Sequence, residues 1–237
     1  MSIRKRKQMK KRFEIIKAHF EKEAACFDKL FFKVAPHYAE MMDGLMETLP
    51  FKKQDRIKVL DLGCGTGNLS KKILLAYPNA KITCVDIAEN MLEMAKAKLK
   101  DSDNVEFWLG DIRKFDLSGK YDVIVGSLVL HHIEEKDKPR FYRKIHAALS
   151  KQGVFFCIDI LLSSNKYLQK LHMDKWKEFM RSNGLPTRKI HDMIRRHQRE
   201  DRPAIFKDEM DILSRAGFRD VDVVLKYYNF ALYGGGK

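Results

Sequence analysis

Cysteine is scarce in this sequence and its apolar runs are short. Four of 237 residues are cysteines (Cys26, Cys64, Cys84 and Cys157), with no C-x-x-C pair and no clustered spacing. A disulfide framework is therefore excluded, and the thiols are expected as small core hydrophobes in a reducing, cytoplasmic compartment. The longest apolar run, 154–162, is interrupted by Asp159 and falls well short of the ~20 residues a membrane-spanning helix needs. The chain opens Met-Ser-Ile-Arg-Lys-Arg-Lys with no apolar stretch behind it, so a cleaved secretory leader is not expected. Repeats and low-complexity linkers are also missing. What remains is a 45% hydrophobic chain, long enough for one sizeable domain with a real core.

Positive charge is abundant and unevenly placed. The net charge is +14. Residues 1–22 hold nine Lys/Arg against Glu14 and Glu21, a net +7, and residues 164–202 hold eleven against five carboxylates, a net +6. The rest of the chain is nearly neutral. Such asymmetry suits an anionic partner, or it marks two well-solvated basic helices.

Periodicity divides the chain. Phe13, Ile16, Phe20, Ala24 and Phe27 recur at helical steps and predict one helix over 8–33. Pro36 interrupts it, and a second helix is predicted over 37–49, stopped by Pro50. Apolar strand patterns at 57–62, 81–85, 104–108, 121–125 and 154–160 then alternate with helical ones at 68–76, 89–100 and 139–149. Near-continuous apolar strands fit a parallel sheet buried on both faces, joined by right-handed crossovers. Residues 163–200 read as helices broken at 183–186, followed by a helix at 207–216 and a closing strand pair at 221–225 and 227–232. Residues 234–237 read as a flexible end or an expression remnant. The expected organisation is a helical arm or cap over 1–50 and a core over 51–237, with a helical insertion at about 163–203.

The most informative stretch is Asp61-Leu62-Gly63-Cys64-Gly65-Thr66-Gly67-Asn68. A buried strand runs into three alternate glycines and a helix follows at once. Glycine is required where backbone must turn sharply or meet a ligand with no side chain between. Open α/β sheets place ligands at the carboxyl ends of their strands. Dinucleotide enzymes need G-x-G-x-x-G, but Asn68 stands where that pattern requires its third glycine. Asp86, closing the next strand, suits a ribose diol in either ligand class.

These residues resemble the class I S-adenosylmethionine-dependent methyltransferases, whose strand and D/E-x-G-x-G-x-G signature is met at 61–67. Further motifs follow in order: Val85-Asp86-Ile87 through Leu92, Gly110-Asp111-Ile112, and Tyr121–Val125 leading into Leu128-Val129-Leu130-His131-His132-Ile133. The resemblance spans about residues 58–160. It implies an α/β fold with an open, mostly parallel, Rossmann-like sheet of seven strands, the last antiparallel, and S-adenosyl-L-methionine as cofactor. It further implies that Gly63, Gly65 and Gly67 admit the methionine and ribose portions, and that Asp61 orients that loop or contacts the methionine amino group through water. Asp86 would bind the ribose diol, Ile87 or Met91 would pack on adenine, and Asp111 beside Ile112 would accept from the adenine amine. Gly126 and Ser127 would lie beside the sulfonium. A finer likeness links Phe27-Asp28, Pro36-His37-Tyr38, Ala216-Gly217-Phe218 and Asn229-Phe230 to the carboxy-SAM synthase group associated with tRNA wobble-uridine modification.

Other signals admit two readings each. His131 and His132 are adjacent, so their side chains are expected to diverge and no metal site is expected; His131 is the candidate for the pocket. Asp159 inside an apolar strand is costly unless paired or facing a cleft, so it reads as either a catalytic partner or a structural ion pair. Tyr38 is either a core aromatic or part of a cover over the cofactor. Met41, Met42 and Met46 read as core. His172, His191 and His197 show no ligand pattern.

The cover over the acceptor would come from the two basic segments, so the expected acceptor is a small, anionic molecule, with Arg199 and Arg202 clamping a carboxylate or phosphate. RNA is the alternative acceptor, although no RNA-binding module is recognisable. A nicotinamide-dependent oxidoreductase and a non-catalytic binding module are the rivals from other classes. No membrane partner is expected, and a homodimer is left open.

Overall fold

The computed structural model describes residues 3–24 and 27–237, with side chains from residue 12 onward. Cys26 lies outside the described residues; Cys64, Cys84 and Cys157 are free and buried, as expected of core thiols. Helix α1 (Ile3–Glu23), the short α2 (Phe27–Phe31) and α3 (Tyr38–Thr48) precede the sheet. The expected helix over 8–33 is thus two separate helices.

The alternating section follows the sequence pattern closely: β1 (Lys58–Leu62), α4 (Asn68–Ala76), β2 (Lys81–Asp86), α5 (Glu89–Lys98), β3 (Val105–Leu109), β4 (Tyr121–Ser127), α6 (Lys138–Ala148) and β5 (Leu149–Ile160). The insertion holds α7 (Lys166–Ser182) and α8 (Thr187–Glu200); α9 (Phe206–Arg215), β6 (Arg219–Tyr227) and β7 (Phe230–Gly236) complete the chain. The seven strands form one sheet in the order β3-β2-β1-β4-β5-β7-β6. Only β7 is reversed, antiparallel to both β5 and β6.

Both faces of the sheet are covered. Val59, Val125 and Ile158 pack with α3, α4, α7 and α8 on one side. Leu60, Ile124 and Phe155 pack with α6 and α9 on the other. Burial on both faces explains the near-continuous apolar strands. At the edge it fails: Trp108 and Leu109 of β3 are more than half exposed.

Residues 234–236 are not a loose end. They pair with Phe156, Phe155 and Val154 inside the sheet, and a Cβ on Gly234 would overlap the Phe155 carbonyl oxygen. Glycine is there because two strands approach too closely for any side chain. Among the described residues, no helix is long and apolar enough to cross a membrane.

Candidate active site

Strand β1 delivers the chain into the glycine loop at the carboxyl edge of the sheet. The Gly63 and Cys64 amides donate to the Val85 carbonyl at 2.8 and 3.1 Å, tying the loop to β2. Gly65 has φ +54°, and a Cβ built there would meet nothing within 4 Å. It would instead project into the cavity, so this bare backbone forms a cradle.

Two buried carboxylates flank the cradle. Asp86 Oδ2 accepts from the Gly65 amide at 2.8 Å and Oδ1 from the Ala88 amide at 2.9 Å. Burial raises its pKa although these amides favour the charged form. Asp61 Oδ2 accepts from Ser70 Oγ at 2.6 Å, while Oδ1 is sealed from water with no partner among the described residues. Burial pushes the Asp61 carboxyl up to about 7, with Asp86 adding to the rise.

An orphaned carboxylate oxygen beside an open glycine cradle is what an ammonium-bearing nucleoside would complete. The residues present therefore fit S-adenosylmethionine. Ile87, Met91 and Ile112 also line this cavity, as does Asp111. Asp111 is already engaged: Arg113 Nε donates to its two oxygens at 2.8 and 3.1 Å, and the Arg113 guanidinium lies 3.3 Å from the Phe13 ring centre. Burial opposes the Asp111 charge, but Arg113 holds its pKa below the usual carboxylate range.

The N-terminal helices close over this half. Glu21 accepts from the Glu89 and Asn90 amides at 2.7 and 2.9 Å. It thereby caps α5, whose own cap residue, Ala88, has no side chain to offer. Asp28 accepts from Thr66 Oγ1 at 2.6 Å, Asn68 Nδ2 at 2.9 Å and Lys98 Nζ at 2.7 Å. The residue that breaks the dinucleotide pattern, Asn68, thus fastens α2 to the glycine loop.

The same cavity, about 200 Å³ in volume, continues past Ser127 into an aromatic chamber. Tyr38 and Ser127 share a 2.7 Å hydrogen bond at the junction, and burial raises the Tyr38 pKa. The next residue, Leu128, has φ +50°, a conformation costly for a branched side chain and concentrated at functional sites. Phe20, Phe27, Phe31, Trp176 and Met193 line the chamber. Its polar edge is His131, His132, His197 and Asp201.

His131 Nδ1 bonds Asp159 Oδ1, and the His131 amide donates to Asp159 Oδ2 at 3.0 Å. Burial works against charge on both. Their mutual attraction prevails: the His131 pKa is raised and the Asp159 pKa lowered. Asp159 is thus a buried ion-pair partner that also holds the His131 ring. His132, mostly buried beside His131, has its pKa pushed down to about 3 by desolvation and by the neighbouring His131.

Arg199 and Arg202 do not line the cavity. The Arg199 side chain is 67% exposed and pairs with Glu200, and Arg202 donates to backbone carbonyls of its own segment. Helix α8 turns a buried face of Ile190, Ile194 and His197 inward. Arg196 is its arginine on the cavity, bound to Glu23 at 2.8 Å and His19 at 2.9 Å. Among the described residues, Arg113 and Arg196 face six lining carboxylates, so the excess positive charge of the chain is not in the cavity. The clamp expected for an anionic acceptor loses its structural basis.

Residues 59–153 match the family described as methyltransferase domain. The carboxy-S-adenosyl-L-methionine synthase of Nautilia profundicola is 27% identical over 96% of this chain and 95% of its own length. The malonyl-[acyl-carrier protein] O-methyltransferase of Acetivibrio thermocellus is 37% identical, over 48% of this chain and 38% of its own. Among solved structures, human N-acetylserotonin methyltransferase in complex with S-adenosylmethionine shares the fold at a TM-score of 0.57 and 21% identity, over 83% of this chain and 51% of that one. Haemonchus contortus phosphoethanolamine N-methyltransferase 2 does so at 0.62 and 16%, over 86% and 43%. This chain spans about half the length of those two structures. The glycine cradle and its orphaned carboxylate thus lie in the stretch that matches a methyltransferase domain, within a chain similar along almost its whole length to carboxy-SAM synthases.

Proposed function

We propose that the protein methylates a small, largely apolar acceptor held in the aromatic chamber, with His131 at the acceptor's nucleophilic atom. The continuity of the cavity from the Gly65 cradle to that chamber carries this reading. S-adenosylmethionine would supply an activated methyl group on a good leaving group, so the protein's task is alignment and exclusion of water. Gly65, Asp61 and Asp86 would hold the nucleoside. Tyr38 and Ser127 would fix the junction, and Asp159 would orient His131 as a positioning residue. Phe20, Phe27 and Trp176 would exclude water and seat the acceptor. A chamber roofed by α1 and walled by α7 and α8 favours a small molecule over RNA.

The full-length similarity to carboxy-SAM synthases favours a second reading, in which the nucleoside itself is the molecule modified. One experiment separates them. Protein incubated with S-adenosylmethionine and a metabolite extract is analysed by mass spectrometry, with the transferable methyl labelled. Label leaving the nucleoside for a small molecule supports methylation. Label retained on a nucleoside that has gained a carboxyl group supports the second reading, and unchanged nucleoside contradicts both.

A further inference from the structure

Adjacent side chains ordinarily diverge, which argues against His131 and His132 sharing a ligand. A tight helical turn, Leu130–His132, overrides that expectation. The two rings lie 4.2 Å apart at 61°. Asp201, just beyond α8, brings Oδ1 to 3.4 Å from His132 Nδ1 and 3.7 Å from His131 Nε2. The donor atoms of the three residues all lie within 4.8 Å of one another. Bonds of ~2.0–2.1 Å to a tetrahedral Zn²⁺ set its ligands about 3.4 Å apart, which is close to both measured edges.

Two further observations point to a ligand. Metal-bound imidazoles are commonly held at their other nitrogen by a carboxylate. Here Asp159 holds His131 at Nδ1, which leaves Nε2 for the triad. The second carboxylate oxygen of Asp201 is likewise held, by His197 Nδ1 at 2.7 Å. In addition, among the described residues neither ring nitrogen of His132 has a hydrogen-bond partner although both are sealed from water. Buried polar atoms are rarely left so, and a cation on Nδ1 would satisfy one of them.

We propose that His131, His132 and Asp201 bind a divalent cation, Zn²⁺ in the first instance. Three protein ligands with an open side on a cavity are the pattern of catalytic rather than structural zinc. The open position faces the acceptor chamber, where the cation, in place of the His131 ring itself, would polarise the acceptor's nucleophilic atom. That role rests on the methyl-transfer reading; binding of the cation does not.

The test is calorimetric titration of chelator-treated, dialysed protein with Zn²⁺, and with Co²⁺ followed by visible absorption. S-adenosylhomocysteine is titrated into the same samples to report an intact cofactor site. One equivalent of Zn²⁺ and a four-coordinate Co²⁺ spectrum are expected. His132→Ala and Asp201→Asn are expected to weaken binding by more than about 100-fold, and Asp159→Asn by about 10- to 100-fold. His191→Ala, at an exposed position on α8, is expected to change nothing. Absence of saturable Zn²⁺ binding in protein that binds the nucleoside would overturn the proposal, as would undiminished binding in folded His132→Ala. Zn²⁺ binding without nucleoside binding would support the metal site and count against methyl transfer alone.

Discussion

Asp61 ties the cofactor reading to a pH dependence that can be worked through. Its carboxyl is fully buried on the cavity wall, one oxygen accepts from Ser70 Oγ, and the other has no partner among the described residues. Burial raises its pKa to about 7. If that oxygen receives the ammonium of the bound nucleoside, only the ionised form binds tightly. Affinity should then weaken roughly tenfold per pH unit below 7, a cost of about 1.4 kcal/mol per unit. Calorimetry with S-adenosylhomocysteine should show Kd rising about 10-fold from pH 8 to pH 6 and about 100-fold by pH 5. Asp61→Asn should abolish that slope and, at pH 8, bind as weakly as the unaltered protein does in acid. It also serves as the control for titration of the ligand itself.

Stability should run the other way. The folded-state pKa lies above the unfolded value of about 3.9, so the neutral form is the one folding favours. Stability should fall as pH rises from about 4 to 7, by up to about 4 kcal/mol. A Kd that stays flat between pH 8 and 6, or an equal slope in Asp61→Asn, would refute the reasoning.

Gly65→Val should bind S-adenosylhomocysteine at least 100-fold more weakly, because its side chain would occupy the cradle, and should cost about 1–3 kcal/mol of stability because φ +54° disfavours a β-branched residue; calorimetry and thermal melts check the two halves. Glu21→Ala removes the substitute cap that α1 provides for α5. It should speed nucleoside release in stopped-flow several-fold and cost about 1 kcal/mol in urea unfolding. Glu209 is wholly buried, takes both its 2.8 Å contacts from Lys138 Nζ, and accepts from Tyr233 at 3.1 Å. Glu209→Gln should therefore destabilise by about 3–5 kcal/mol, read from the urea midpoint, by leaving a buried ammonium uncompensated.

The sheet and the cofactor half of the site were legible because their signals are local. A strand, three glycines and a helix start are consecutive residues, and Asp61 and Asp86 are fixed by the strands that carry them. The acceptor half was not, because it depends on how distant elements meet. Helical phase turned Arg196 rather than Arg199 toward the cavity. The turn at 130–132 drew together two rings that alternation would separate. Asp201 and Glu21 gained their roles only where the insertion and α1 fold back on the sheet, and no spacing in the chain marks either. The glycines at 234–236 looked like a tail because their burial depends on β5 and β6 lying on either side. The placement of charge also misled: several basic residues of the insertion pair at the surface, as Lys170 and Lys177 do with Asp174, while the cavity is rich in carboxylates.

The most direct measurement is parallel calorimetric titration of the purified protein at pH 8 with S-adenosylhomocysteine and with NAD. The expected result is saturation at one equivalent of the first and no heat from the second. Saturation by NAD, or silence toward the methionine-linked nucleoside, would contradict the assignment of the cradle.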